Sequence, residues 1–260
     1  MKIQNIVPSE KAKAYFARIG FNFDPTLSES DFLNALQYAH VTSVPYENLD
    51  ILNKIPLKLD PDSLFDKVVT RKRGGYCYEL NGIFGWLLRD LGFEVHDYMG
   101  RYLRGEEGIP MRRHRVLKVV CESGEYICDV GIANTAPRYP LKLEEGVVQE
   151  QFGESYVIEK EPFFGYVIYL VHENGERERF YSFTEEEQLD IDFVAPSFYL
   201  ECSPDSKFNK KEMVAVKTKN GRKVIDGKMF KFYDEKQTDI PIASERMMAD
   251  ILEIHYGIKL

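Results

Sequence analysis

Hydrophobic and polar positions along the chain follow two periods, one after the other. Up to about residue 92 the apolar positions recur every three or four residues, the spacing of one face of an α-helix. A first amphipathic segment ends at Tyr15-Phe16-Ala17-Arg18-Ile19-Gly20. A second, from about Ser30 to His40, sets Phe32, Leu33, Leu36 and Ala39 at helical spacing, with Ser28 or Ser30 to cap it. Val44-Pro45-Tyr46-Glu47-Asn48-Leu49 breaks the pattern. A third helix follows Pro61-Asp62. A fourth starts near Cys77, runs through Ile83, Phe84, Trp86, Leu87 and Leu88, and stops at Leu91-Gly92, where glycine suits a left-handed cap.

From about residue 93 the period becomes two. Val116–Cys121 and Tyr126–Val130, around Glu122-Ser123-Gly124-Glu125, predict a hairpin; Ser155–Ile158, Tyr166–His172 and Arg179–Phe183 predict further strands of a small barrel or sandwich. A helix is expected over about 185–193. Strands are then expected at Met213–Lys217, Lys223–Ile225 and Met229–Phe232, and a last helix behind Ser244, ending near Gly257. Helices, then strands, then a mixed tail make an α+β chain of three lobes, at 1–92, 93–200 and 201–260.

Composition narrows the classes. The 260 residues, 44% hydrophobic and 29% charged, are ordinary for a globular protein with a sizeable core. No apolar run is long enough for a membrane span, and Met1-Lys2-Ile3-Gln4 lacks a signal core, so a cytoplasmic protein with no membrane partner is expected. A net charge of −8 argues against nucleic acid as a partner. Local basic clusters at Arg71-Lys72-Arg73 and Arg112-Arg113-His114-Arg115 leave room for an anionic small ligand. The four cysteines form no CxxC pair, so no metal site is expected.

Cys77 is the distinctive one. It follows Gly74-Gly75 and opens a helix, whose positive end stabilises a thiolate and offers N–H donors to an oxyanion. Two glycines ahead of it allow unusual dihedrals or close approach of a ligand. A cysteine nucleophile needs a base, and the base an orienter. Of five histidines, His114 opens a strand after a Gly- and Pro-containing loop. The returning strand carries Asp129, a carboxylate costly to bury unpaired. With a Ser123-Gly124 turn the two share a face but sit four residues apart, so contact needs a different turn, a bulge or strong twist.

Arg73-Gly74-Gly75-Tyr76-Cys77-Tyr78-Glu79-Leu80-Asn81, Val44-Pro45-Tyr46-Glu47-Asn48-Leu49, His114 before an apolar strand, Asp129-Val130-Gly131 and the late Ser203–Phe208 stretch occur in the order of the arylamine N-acetyltransferase family, which the chain resembles. The resemblance implies a helical bundle, an antiparallel β-barrel and a C-terminal α/β lid, with a cysteine-protease-like Cys-His-Asp arrangement. It implies Cys77 as the acetylated nucleophile, His114 as base and acid, and Asp129 as its orienter. Acetyl-CoA would be the donor, and an aromatic amine, hydrazine or N-hydroxyarylamine the acceptor, in a ping-pong reaction without metal.

The family pattern also puts Tyr46, Gly131 and Ile132 at the acceptor and Gly131 and Ala133 beside CoA. Ile132 and Ala133 stand where the family usually has phenylalanine and glycine, Arg113 where threonine precedes the histidine, and Ser197 where a late asparagine is usual. Glu79 and Asn81 are expected to hold loops, and Arg71-Lys72-Arg73 to form a solvated face or to steer CoA phosphates. The alternatives are an amide synthase of the same family, fed by a carrier-bound acyl chain, and a weakly active or inactive thiol-binding homologue.

Overall fold

In the computed structural model, which describes residues 2–234 and 236–259, the first two helices begin at serines. Ser9 Oγ accepts from the Ala12 amide and Ser28 Oγ from the Asp31 amide. Each therefore satisfies a free N–H of α1 (Glu10–Ile19) and α2 (Glu29–Ser43). Gly20 closes α1 at φ 66°. A two-residue strand β1 (Tyr46–Glu47) and a short α3 (Leu49–Leu52) fill the break in the helical pattern. α4 (Pro61–Phe65), capped by Asp60, runs into a π-turn at Asp66–Thr70. α5 (Cys77–Asp90) is buried from Cys77 through Gly85, as its apolar circumference requires of a central helix. It packs on α1 and α4 on one side and on the barrel strands β2 and β3 on the other.

The barrel contains β2 (Glu94–Tyr102), β3 (His114–Cys121), β4 (Gly124–Cys128), β5 (Leu141–Lys142), β6 (Gln149–Gln151), β7 (Glu154–Glu161), β8 (Gly165–Val171) and β9 (Arg177–Glu187). They lie antiparallel in the order β5-β4-β3-β2-β9-β8-β7-β6. Amide side chains bridge the seam between β5 and β6. Gln149 bonds both the N–H and the C=O of Lys142, and Gln151 those of Tyr139, so neither edge is left bare.

α6 (Val194–Cys202) leads to a second sheet of β10 (Met213–Lys217), β11 (Arg222–Asp226), β12 (Met229–Tyr233) and β13 (Gln237–Pro241), covered by α7 (Glu245–Tyr256). The first strand of that sheet is β1, from the N-terminal part of the chain: Tyr46 pairs with Ala215 and Glu47 with Val214. Tyr46 also bridges Gly75 in parallel. The segment that interrupts the helical pattern thus stitches the glycine loop before Cys77 to the last sheet. The α+β class, the bundle, the barrel and the mixed C-terminal part match expectation.

The helix expected over 185–193 is not there. Residues 185–187 extend β9, a 3-10 turn covers Asp190–Phe193, and the helix begins at Val194. Glu185-Glu186-Glu187-Gln188 favours helix by propensity, but Glu185 pairs with Lys118, Glu186 with Arg112 and Glu187 with His96 across the barrel, and that context prevails. β13 also escapes the sequence pattern. It is exposed along its whole length, so it carries no alternation to read. Among the described residues no helix is long and apolar enough to cross a membrane.

Candidate active site

Cys77 occupies the first position of α5, and burial leaves it 4% exposed. The approach to it is held by the protein's own backbone. A Cβ on Gly74 would stand 1.9 Å from the Pro45 carbonyl oxygen, and one on Gly75 would stand 2.8 Å from Glu79. Neither glycine has a positive φ. Gly74 therefore allows close packing against Pro45 and Glu47, and Gly75 against the Glu79 side chain, without a positive φ. Glu79 accepts from the Tyr76 amide and from Lys67 Nζ at 2.8 Å. Burial pushes its carboxyl up to about 7 against the pull of that ammonium. As expected, it holds the helix start.

His114 meets Asp129: Nε2 lies 2.5 Å from Oδ2. The register explains why. The turn is Glu122-Ser123, and Cys121 pairs with Gly124 and Leu117 with Cys128. Continuing that register sets Asp129 opposite Val116, two residues from His114 on the same face, instead of four as the Ser123-Gly124 turn implies. A diagonal pair of that kind is within reach of long side chains. The Cys77 sulfur is close enough to act on the same imidazole and lies 3.8 Å from the Arg113 carbonyl oxygen. Burial works to strip the imidazole of its proton, but the Asp129 carboxylate and the Cys77 sulfur outweigh it and push His114 up to about 10.

Three supporting residues complete the site. Asn81, one turn along α5, donates to Asp129 Oδ1 at 2.9 Å and to the Arg115 carbonyl at 2.6 Å, and accepts from the Val130 amide. It holds loops as expected, and the Asp129 carboxylate with them. Gln37 and Tyr181 were not foreseen. Gln37 accepts from the Asp129 amide, and the Tyr181 ring packs 5.5 Å from the His114 ring at 68°. Both read as ordinary core positions, because only the fold brings α2 and β9 to this point. Among the other histidines, His40 is held by Tyr15 and pushed down to about 3 by burial and Arg18, and His96 and His172 bind surface glutamates.

Cys77 and His114 open onto a cavity of about 310 Å³, within the range of small-molecule sites. Tyr46, Gly131, Ile132 and Ala133 line it, together with Arg113 and Phe208. Gly131 touches Cys77, since a Cβ there would stand 2.7 Å from both Cys77 Cα and Asn81 Nδ2. Gly131→Ala is accordingly expected to lower kcat/KM by about 10²-fold by displacing Cys77, with folding preserved by circular dichroism. Ala133, in place of the family's glycine, takes φ 32°, a left-handed conformation that a glycine holds with less strain.

A larger cleft of about 650 Å³ between residues 51–59 and α6 is lined by Glu201 and Cys202 but by neither Cys77 nor His114. The Arg71-Lys72-Arg73 cluster does not reach the active cavity. Arg73 is spent on Glu47 and Asp50, at 2.7 and 2.9 Å, and Arg71 on Asp66. Arg71 and Lys72 are exposed, as a solvated face requires, and Arg73 is turned inward. Ser197, the position of the late asparagine, bonds the Tyr76 hydroxyl at 2.6 Å. Cys121 and Cys128 are buried in the barrel. No group of three His, Cys, Asp or Glu among the described residues is placed to hold a metal ion.

The sequence profile of the N-acetyltransferase family matches residues 30–260. A curated arylamine N-acetyltransferase of Mycolicibacterium smegmatis is 35% identical over 253 residues, 95% of this chain and 91% of that protein. The arylamine N-acetyltransferase structure from Salmonella typhimurium superposes with a TM-score of 0.90 at 27% identity, covering 97% of this chain and 92% of that one. The Mycobacterium marinum enzyme in complex with CoA gives a TM-score of 0.87 at 30% identity, covering 95% and 92%. With the fold, the motif order and relatives of this similarity in agreement over nearly its whole length, the chain belongs to the arylamine N-acetyltransferase family.

Proposed function

We propose that the protein transfers an acetyl group from acetyl-CoA to aromatic amines through an acetyl-cysteine at Cys77. The observation that carries this reading is the His114 imidazole, bonded to Asp129 and lining one cavity with Cys77, which opens a buried helix. An imidazolium that persists at neutral pH and the positive end of α5 both stand beside the Cys77 sulfur.

The thiolate attacks the thioester carbonyl carbon. First-turn amides of a helix lack intrahelical acceptors and supply donors to the oxyanion. The C–S bond to CoA breaks, and His114 gives its proton to the departing sulfur. The sulfur of Cys77 is then uncharged, and the neutral imidazole takes a proton from the arylamine nitrogen as it attacks the acetyl carbon. The Cys77–acetyl bond breaks, and the ion pair is restored. Anilines are largely neutral and nucleophilic at pH 7, which suits a cavity that keeps the thioester from bulk water.

Tyr46 and Ile132 would wall the acceptor ring, and Gly131 and Ala133 would let the donor's thioester approach. The lobes at 1–92, 93–200 and 201–260 would divide the work. The first brings the nucleophile, the second the base and its orienter, and the third covers the cavity. A cytoplasmic setting, which keeps thiols reduced, suits Cys77. The amide-synthase alternative is not favoured by relatives named for arylamine acetylation.

Mixing the protein with acetyl-CoA and no amine is expected to add one acetyl group by intact mass, discharged on addition of an arylamine. Absence of the adduct, with transfer from a carrier-bound acyl chain instead, would move the assignment to the amide synthase.

A further inference from the structure

The cleft of about 650 Å³ between residues 51–59 and α6 shares no lining residue with the active cavity. Both of its walls are apolar: Ile51, Leu52 and Leu57 stand on one side, and Val194 and Phe198 on the other. Large apolar side chains are left in the open there, with Phe198 65% exposed and Ile55 51%. Such groups gathered around a concavity mark a binding surface, whereas singly scattered ones do not. The polar groups between the walls are spent on the protein itself. Glu201 Oε2 accepts from the Leu57 amide at 3.1 Å and Oε1 from the Ser197 hydroxyl at 2.8 Å, so one carboxylate ties the two walls together. Asn209 Nδ2 donates to the carbonyls of Glu201 and Ser203. Lys54 and Lys210 differ. Both line the cleft, both are exposed, and neither has an ion-pair partner among the described residues. The Lys54 backbone is fixed at the end of α3, at φ 56°, with the Ile55 amide bonded to the Asp50 carbonyl at 2.9 Å.

We propose that this cleft binds the anion of a medium-chain fatty acid, with the chain between the two apolar walls and the carboxylate at Lys54 and Lys210. Charge complementarity selects the anion. Two ammonium groups without partners face a single carboxylate whose oxygens already accept hydrogen bonds, and a cationic head would meet both lysines. α6 separates this ligand from the nucleophile, because the Ser197 hydroxyl bonds the Tyr76 hydroxyl at 2.6 Å on the side away from the cleft. Binding here is therefore independent of the acetyl-transfer chemistry at Cys77.

Cys202 supplies the readout, since it lines the cleft and is exposed, while Cys121 and Cys128 are buried in the barrel. Labelling by N-ethylmaleimide is followed at each cysteine by peptide mapping, in the presence of octanoate below its micelle-forming concentration or of uncharged 1-octanol. Octanoate is expected to slow labelling of Cys202 saturably. Lys54→Gln combined with Lys210→Gln should raise the half-protecting octanoate concentration by about 3- to 10-fold, as loss of two exposed charge contacts implies, and leave 1-octanol unaffected. Phe198→Ser, at an exposed position, should weaken protection by both ligands. Unchanged labelling of Cys202 in octanoate overturns the proposal. So does protection of Cys77 alone, which would put the ligand in the active cavity, and so does an equal effect of the lysine substitutions on both ligands. Protection that needs no octanoate and grows with protein concentration would give the cleft to a second copy of the chain, and would overturn it as well.

Discussion

Cys77→Ala is expected to take up no acetyl group from acetyl-CoA and to lose roughly 10⁴-fold or more of its arylamine acetylation, while retaining its fold. The magnitude follows from removing the nucleophile of a covalent mechanism, where only binding and oxyanion stabilisation remain. The fold should survive because alanine fills most of the volume of a thiol at the first turn of α5, and Glu79 still caps the Tyr76 amide. The other cysteines supply the control. Cys121 and Cys128 are buried in the barrel and Cys202 is exposed on α6, so replacing Cys202 with alanine should leave the adduct intact. An acetyl adduct that persists on Cys77→Ala, located by peptide mapping to another residue, would remove Cys77 from the mechanism.

Asp129→Asn is expected to cost about 10⁴-fold in kcat with little change in the donor's apparent affinity. Oδ1 of Asp129 already accepts from Asn81 and from the Gly131 amide, and an asparagine oxygen can keep both bonds. Its amide nitrogen would then face His114 Nε2 as a donor. The imidazole would be driven to the tautomer whose proton is on Nδ1, and it would no longer be held as an imidazolium.

The pH dependence has a definite sign. The folded-state pKa of His114, about 10, lies above the ordinary value of about 6.5. Its contribution to stability is therefore complete below about pH 6.5 and is lost as pH rises through about 10. The stability gap between wild type and Asp129→Asn should thus be wider at about pH 6.5 than at about pH 10, read from urea midpoints. An equal gap at both pH values would separate Asp129 from the protonation of His114.

Much of the site is legible in the sequence because its chemistry is carried by local motifs. Cys77 is marked by its place at a helix start, and Asp129 by being a carboxylate in an apolar strand. The contact between His114 and Asp129 was not legible, since it depends on whether the hairpin turns at Glu122-Ser123 or one residue later. Composition is nearly neutral between those turns, whereas the packed register is not, because Lys118 and Leu117 must find their partners in β4. Gln37 and Tyr181 were hidden for a related reason. A glutamine in a helix and a tyrosine in a strand look like any core or surface position until distant elements are brought together.

The helix wrongly expected at 185–193 makes the same point from the other side. A run of glutamates favours helix in isolation, and only the barrel supplies the cations that hold it extended. The amino-acid order alone thus determined the element types over most of the chain, the helix that Cys77 opens, and the family's motif order, because these depend on short-range periodicity and local chemistry. The three-dimensional packing decided the hairpin register, the seating of Gly74 and Gly131 against backbone, and the cleft between residues 51–59 and α6. Those depend on atoms far apart in the chain, whose meeting is set by the burial of the whole core and not by any single segment's preference.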